Sequence, residues 1–147
     1  MRVIPSIFKG KNKEGDFNWM IKQKEYSNVL FLFNDNYENF NNCFPGAGNA
    51  IMRQYNKHSL LQITKSAGIP TGSINYGGFG FLSIFAKEWI DIAFHDIHDL
   101  LSTHEYDSVI FSADKNGKIG NSIFTFSEDV RDYITEQIYT LEYFSKV

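Results

Sequence analysis

The run Val29-Leu30-Phe31-Leu32-Phe33 passes directly into Asn34-Asp35-Asn36, and the chain then reaches Pro45-Gly46-Ala47-Gly48-Asn49-Ala50-Ile51-Met52-Arg53. An unbroken apolar run bounded by polar turn formers predicts a fully buried strand over 28–33. A buried strand emptying into a polar and then glycine-rich turn is how α/β proteins build a ligand loop. The glycines allow positive φ and close backbone approach. Asn49 to Tyr55 has the composition of a helix start, whose free amides would face an anionic, phosphate-bearing guest. There is no glycine loop ending in Lys-Ser or Lys-Thr and no complete G-x-G-x-x-G, so the Walker and dinucleotide fingerprints are not the reading.

Working outward, Val3, Ile4, Ile7 and Phe8 around Pro5 predict an opening strand whose proline marks a sheet edge or an irregularity. Lysines 9, 11 and 13 fall in a solvated loop, and Asp16 caps a short helix predicted over 17–24. Leu60 to Ile63 reads as a short strand and Ala67 to Gly72 as a turn. Gly72, Gly77, Gly78 and Gly80 then punctuate a loop carrying Asn75, Tyr76 and Phe79, aromatics able either to stack on a base or to plug the core. The longest helix is predicted over 83–102, with Phe85, Trp89, Ala93, Ile97 and Leu100 as its apolar stripe, widened by Ala86, Ile90, Phe94 and Leu101. His95 and His98 lack an H-E-x-x-H pattern and read as a solvated face.

A strand predicted over 106–113 leads into a second glycine-containing loop, Gly117 to Phe124. Two loops beyond strand ends, facing one crevice, are the arrangement that binds ligands in open α/β sheets. The closing helix starts at Ser127 with Glu128 and Asp129 in its first turn, and Val130, Ile134, Ile138 and Leu141 form its core stripe.

A chain of 147 residues with no repeat or linker predicts one domain, 1–147. Its hydrophobic share of 43%, rich in Phe and Tyr, supplies a full core. A net charge of −3 argues against a duplex nucleic-acid surface. The single Cys43 rules out an internal disulfide and fits a reducing compartment, where it reads as an inert small residue. No basic-then-apolar leader opens the chain, and no segment approaches ~18 continuous apolar residues. A cytoplasmic protein with no membrane partner is therefore expected.

The order Leu30-Phe-Leu-Phe-Asn-Asp-Asn36, Pro45-Gly-Ala-Gly-Asn-Ala50 and Val109-Ile-Phe-Ser112 followed by Gly117-Lys-Ile-Gly120 resembles the macro domain, a module that binds ADP-ribose and related nucleotides. The chain also resembles small uncharacterised phage and bacterial proteins that share L-F-N-D-N, P-G-x-G-N-A, G-I-P-T-G and I-G-x-x-I-F segments. The resemblance implies a three-layer α/β/α fold with a mixed, mostly parallel sheet. Ligand contacts would come from Asn34, Asp35, Asn36, Pro45, Gly46, Ala47, Gly48, Asn49 and Arg53 on one side. Gly117, Lys118, Ile119, Gly120 and Asn121 would supply the other, with Gly46, Gly48, Gly117, Lys118 and Gly120 wrapping phosphates. The Asp and Lys of the hydrolase subtype are not matched, since the corresponding stretches read Gly120-Asn-Ser-Ile-Phe124 and Thr71-Gly-Ser-Ile-Asn75.

The expectation is thus a binder of an ADP-ribose derivative or a cyclic nucleotide immune signal, requiring no cofactor and no metal. In a phage it would act in the host cytoplasm as an anti-defence sponge. One alternative is an ADP-ribosyl or phosphoester hydrolase with Asp35 as acid or base. The other is a non-catalytic protein-interaction module whose aromatic surplus forms a homo-oligomer interface.

Overall fold

Every residue of the strand Val29–Asn36 is buried, and hydrogen-bonded strands flank it on both sides. The computed structural model describes residues 1–61, 63–122 and 124–145. Numbered along the chain, β1 is Arg2–Ser6, β2 the buried Val29–Asn36, β3 Ser66–Ser73, β4 Gly77–Gly78 and β5 Ser108–Ser112. The α-helices are α1 Phe17–Met20, α2 Ile84–Thr103 and α3 Glu128–Thr140. The sheet order is β1-β5-β2-β3-β4, with the first four strands parallel and β4 antiparallel to β3. The fold is mixed α/β, built on a mostly parallel five-stranded sheet. No helix among the described residues is long and apolar enough to cross a membrane.

The two-residue period of a strand explains why β2 is apolar without interruption. Its odd positions, Val29, Phe31 and Phe33, pack with Met20, Ile21, Met52 and Ile110 on one sheet face. Its even positions, Leu30 and Leu32, pack with α2, α3, Val109 and Phe111 on the other. A strand covered on both faces and paired on both edges has no exposed side to mark with polar residues.

Several sequence expectations change. The strand runs past Phe33 to Asn36, so Asn34, Asp35 and Asn36 are strand residues and not loop residues. The helix expected over 17–24 is the single turn α1 followed by a 3-10 turn, Lys24–Tyr26. Asp16 occupies the cap position, but its Oδ2 accepts the Asn12 amide at 2.8 Å and makes no cap hydrogen bond. Leu60, Leu61 and Ile63 are exposed and form no strand, Gln62 of that segment lying outside the described residues. The strand is instead β3, spelled Ser66-Ala-Gly-Ile-Pro-Thr-Gly-Ser73, whose Gly and Pro read as a turn.

Specific packing explains those residues. A Cβ on Gly68 would lie 2.7 Å from the Phe40 carbonyl oxygen, and one on Gly72 would lie 2.4 Å from that of Gly77. Pro70 sits where β3 has no outer partner, because β4 pairs only with Gly72 and Ser73. Pro5 lies in β1, an edge strand as expected.

Helix α2 starts at the expected place, with the Ser83 hydroxyl accepting the Ala86 amide at 3.0 Å. Its buried stripe is Ala86, Ile90, Ala93, Phe94, Ile97, Leu100 and Leu101. Phe85 is left 51% exposed and Trp89 only half-buried. On α3, Val130, Ile134 and Ile138 are buried as the spacing requires, and Leu141 follows them in the next turn.

At the head of α3 the Ser127 hydroxyl donates to Asp129 and makes no cap hydrogen bond with the helix amides. Asp129 also accepts the Leu82 amide at 2.8 Å and the Val130 amide at 2.9 Å, tying the entry to α2 onto α3. These bonds, the Ser127 hydroxyl first, hold its carboxyl below the usual carboxylate range. A depressed folded-state pKa gives stability that is present in full above the unfolded value of about 3.9 and is lost as pH falls through the folded value. Urea unfolding between pH 6 and pH 2.5 should therefore show a steeper acid loss for wild type than for Asp129→Asn; parallel curves would contradict the assignment.

Candidate functional site

At the carboxyl ends of β2 and β3 a cleft of about 220 Å³ opens, bordered by Asn34, Asp35, Asn36, Gly46, Ala47, Asn49, Ala50, Arg53, Ile74, Ser122 and Phe124. Its wall is the segment Gly48–Tyr55, which forms a 3-10 helix and not the expected α-helix start. With about three residues per turn, such a helix aligns Ala47, Ala50 and Arg53 in one row. That row faces the cleft, while Met52 is buried in the apolar cluster beneath. Gly48 enters the helix at φ +59, a left-handed conformation that glycine adopts without cost.

Arg53 reaches across to β2. Its Nε donates to Asp35 Oδ2 and its Nη2 to Asp35 Oδ1, both at 2.6 Å, with side-chain exposures of 11% and 3%. The Asn36 amide donates to Oδ1 as well, at 2.8 Å. The hydrogen bonds to Asp35 raise the Arg53 pKa against the opposing effect of burial. Both oxygens of Asp35 thus accept hydrogen bonds, three in all. Arg53 Nη1 makes no hydrogen bond among the described residues, and a Cβ on Gly46 would stand 3.1 Å from it. Gly46 therefore keeps the way to this cation open.

Asn34 is 2% exposed. Its Nδ2 donates to the Gly120 carbonyl at 2.5 Å, which fixes the amide and leaves Oδ1 as a buried acceptor with no partner among the described residues. The one other such oxygen, Asn18 Oδ1, belongs to a residue bordering a larger cleft of about 500 Å³. That second cleft is formed with Lys11, Asp16, Gly48, Asn49 and Ser112, and Asn49 borders both. Buried polar atoms are normally satisfied, so an unpaired acceptor at a cleft marks a place for a donor.

The two loops meet, but not as the sequence suggested. Gly120 touches Asn34, and Ser122 and Phe124 border the cleft. The amides of Gly117, Lys118, Ile119 and Gly120 are already bonded, to Asp114 O, Asp114 Oδ1, Thr135 Oγ1 and Ser112 O. They form no phosphate cradle. The Lys118 ammonium pairs with Asp132 at 2.7 Å, Ile119 is core, and Asn121 accepts from Arg131 at 2.5 Å. On the first loop Pro45 is exposed, and Gly48 faces the larger cleft.

Ala50 and Ile74 escaped the sequence reading, and Ser122 and Phe124 entered it only as part of the Gly117 to Phe124 loop. Only Ala50 carried a signal, as the residue three before Arg53 in a three-residue turn. Ile74 is set at the rim by Glu38, whose carboxylate accepts the Ser73 hydroxyl at 2.6 Å and the Ile74 amide at 3.0 Å. No three His, Cys, Asp or Glu side chains gather among the described residues as a metal site would need.

Models of known protein families, curated proteins and solved structures give no match to this chain.

Removing one member of a buried pair strands the other, at a cost of about 3–5 kcal/mol. Arg53→Ala should lose stability on that scale in urea unfolding. Lys57→Ala, which breaks an exposed 3.8 Å contact to Asp99, should lose under about 1 kcal/mol. Equal losses would show that the Asp35 pairing carries no special weight.

Proposed function

We propose that the cleft between the Asn34–Asn36 end of β2 and the Gly48–Tyr55 helix binds a small nucleotide-type ligand through an uncharged, hydroxyl-bearing part. The observation that carries this reading is the fixed, unpaired Oδ1 of Asn34, which needs a hydroxyl or N–H donor. Arg53 Nη1 offers a donor in return, and the neutralised Asp35–Arg53 pair leaves the floor without net charge. A sugar, with donor and acceptor on one group, meets both demands. The position at the carboxyl ends of parallel strands supports a ligand site. Apolar clusters on both sheet faces support an α/β/α module of the macro type.

Holding a ligand is favoured over hydrolysing it, because the one acid at the cleft floor has both oxygens engaged. A phage protein of this design would sequester an ADP-ribose derivative or a cyclic nucleotide signal. Ligand at ~100 times its dissociation constant adds about 2.7 kcal/mol, a shift of several degrees for a domain of this size.

Melting should be followed with ADP-ribose, its cyclic isomers, NAD, and cyclic di- and trinucleotides, each recovered afterwards. At least one should raise the melting temperature and be recovered unchanged. Asn34→Ala should weaken its binding about tenfold, the scale of one lost hydrogen bond. Recovery of an altered ligand would make the protein an enzyme, and silence across the set would defeat the reading.

A further inference from the structure

The aromatic residues expected in the α2 stripe and in the Gly72–Gly80 loop are not all spent on the core. Phe85 is 51% exposed, Phe81 67% and Tyr76 87%. With Tyr37, Phe79 and Gly80 they border a separate cleft of about 350 Å³ that shares no bordering residue with the Asn34 cleft. We propose that this second cleft is a binding site for a flat, uncharged heteroaromatic ring of a small ligand.

Three observations carry the assignment. The walls are ring faces and edges: Tyr37 and Phe79 both meet Phe85 nearly at right angles, at 5.1 and 6.5 Å. Edge-to-face sets of this kind hold one another rigid while leaving other faces open to a further ring. Among the described residues no Lys, Arg, Asp or Glu side chain borders the space, so a charged occupant would be desolvated without compensation. The two serine hydroxyls at its edge are engaged, Ser73 with Glu38 and Ser83 with the Ala86 amide. The opening is concave and of the size that holds one small organic molecule, where a protein partner would need a broad face.

Gly80 supplies the third observation. Cβ atoms on Gly72 and Gly78 would collide with backbone oxygens at 2.4 and 2.1 Å, so the fold itself requires those glycines. Gly80 lacks a positive φ, and a Cβ there would meet nothing within 4 Å. Folding does not demand a glycine at this border. What its missing side chain does is keep the cleft open.

Removing one aromatic ring from a stacking contact with a base weakens binding by roughly tenfold. The test is titration of ¹⁵N-labelled protein with adenosine, and with cyclohexanol as a neutral ring that is not flat. Adenosine should shift the amides of Tyr76 to Gly80 saturably. The response should be at least tenfold weaker in Gly80→Leu, which fills the space, and in Tyr76→Ala, which removes an exposed ring. It should persist in Asn34→Ala, which separates this cleft from the other. Absence of shifts at these amides, an equal response to cyclohexanol, or shifts that follow protein concentration without any probe would overturn the proposal. The last result would mean that a second copy covers the face.

Discussion

A carboxylate at the inner end of the central strand must be paired, and Asp35 is paired by the fork of Arg53. Much of the site follows from that requirement. Asp35 is held on β2, so Arg53 must reach it from across the cleft, and this docks the Gly48–Tyr55 segment with its Met52 in the cluster of Phe31 and Phe33. The three-residue turn then sets Ala47 and Ala50 in line with Arg53. Two small residues and one committed cation make a wall with room beside it. The cleft is the space between an ion pair and the turn that carries half of it.

The second loop is governed by a different element. Arg131 is buried, stacks over Phe126 at 4.5 Å, and donates to the Ile119 carbonyl and to Asn121. Thr135 and Tyr139 bond Ile119 and Gly117. Helix α3, together with Asp114 and Ser112, thus engages the loop's polar groups, and the Gly120 carbonyl is left to face Asn34 on β2. That contact orients the Asn34 amide and leaves its Oδ1 buried beside the cleft with no partner among the described residues. A loop bonded by its own helix thus orients a side chain on the neighbouring strand.

Much of this was legible in the sequence and some was not, for reasons that differ by residue. The apolar run at Val29–Phe33 and the stripes of α2 and α3 announce themselves, because burial imposes a period. The extension of β2 through Asn34, Asp35 and Asn36 could not be read locally. These are turn formers, and only partners distant in sequence, Gly120 for Asn34 and Arg53 for Asp35, make them strand residues. For β3 the difficulty was reversed: Gly68, Gly72 and Pro70 look like punctuation until the carbonyls pressed against them and the unpaired edge are seen. Asn34, Asp35, Asn36, Gly46, Ala47, Asn49 and Arg53 do share one cleft. Lys118 and its neighbours looked equally suitable, and no local pattern signals that Asp132, Thr135 and Tyr139 hold them.

The most direct measurement is a crystal structure at high resolution of the protein soaked with whichever nucleotide most raises its melting temperature. A ligand hydroxyl or N–H should lie at hydrogen-bond distance, ~2.7–3.0 Å, from Asn34 Oδ1, with the Asp35–Arg53 fork intact beneath it. A nucleotide bound elsewhere, with Asn34 Oδ1 still unpaired or satisfied by a water alone, would contradict the account.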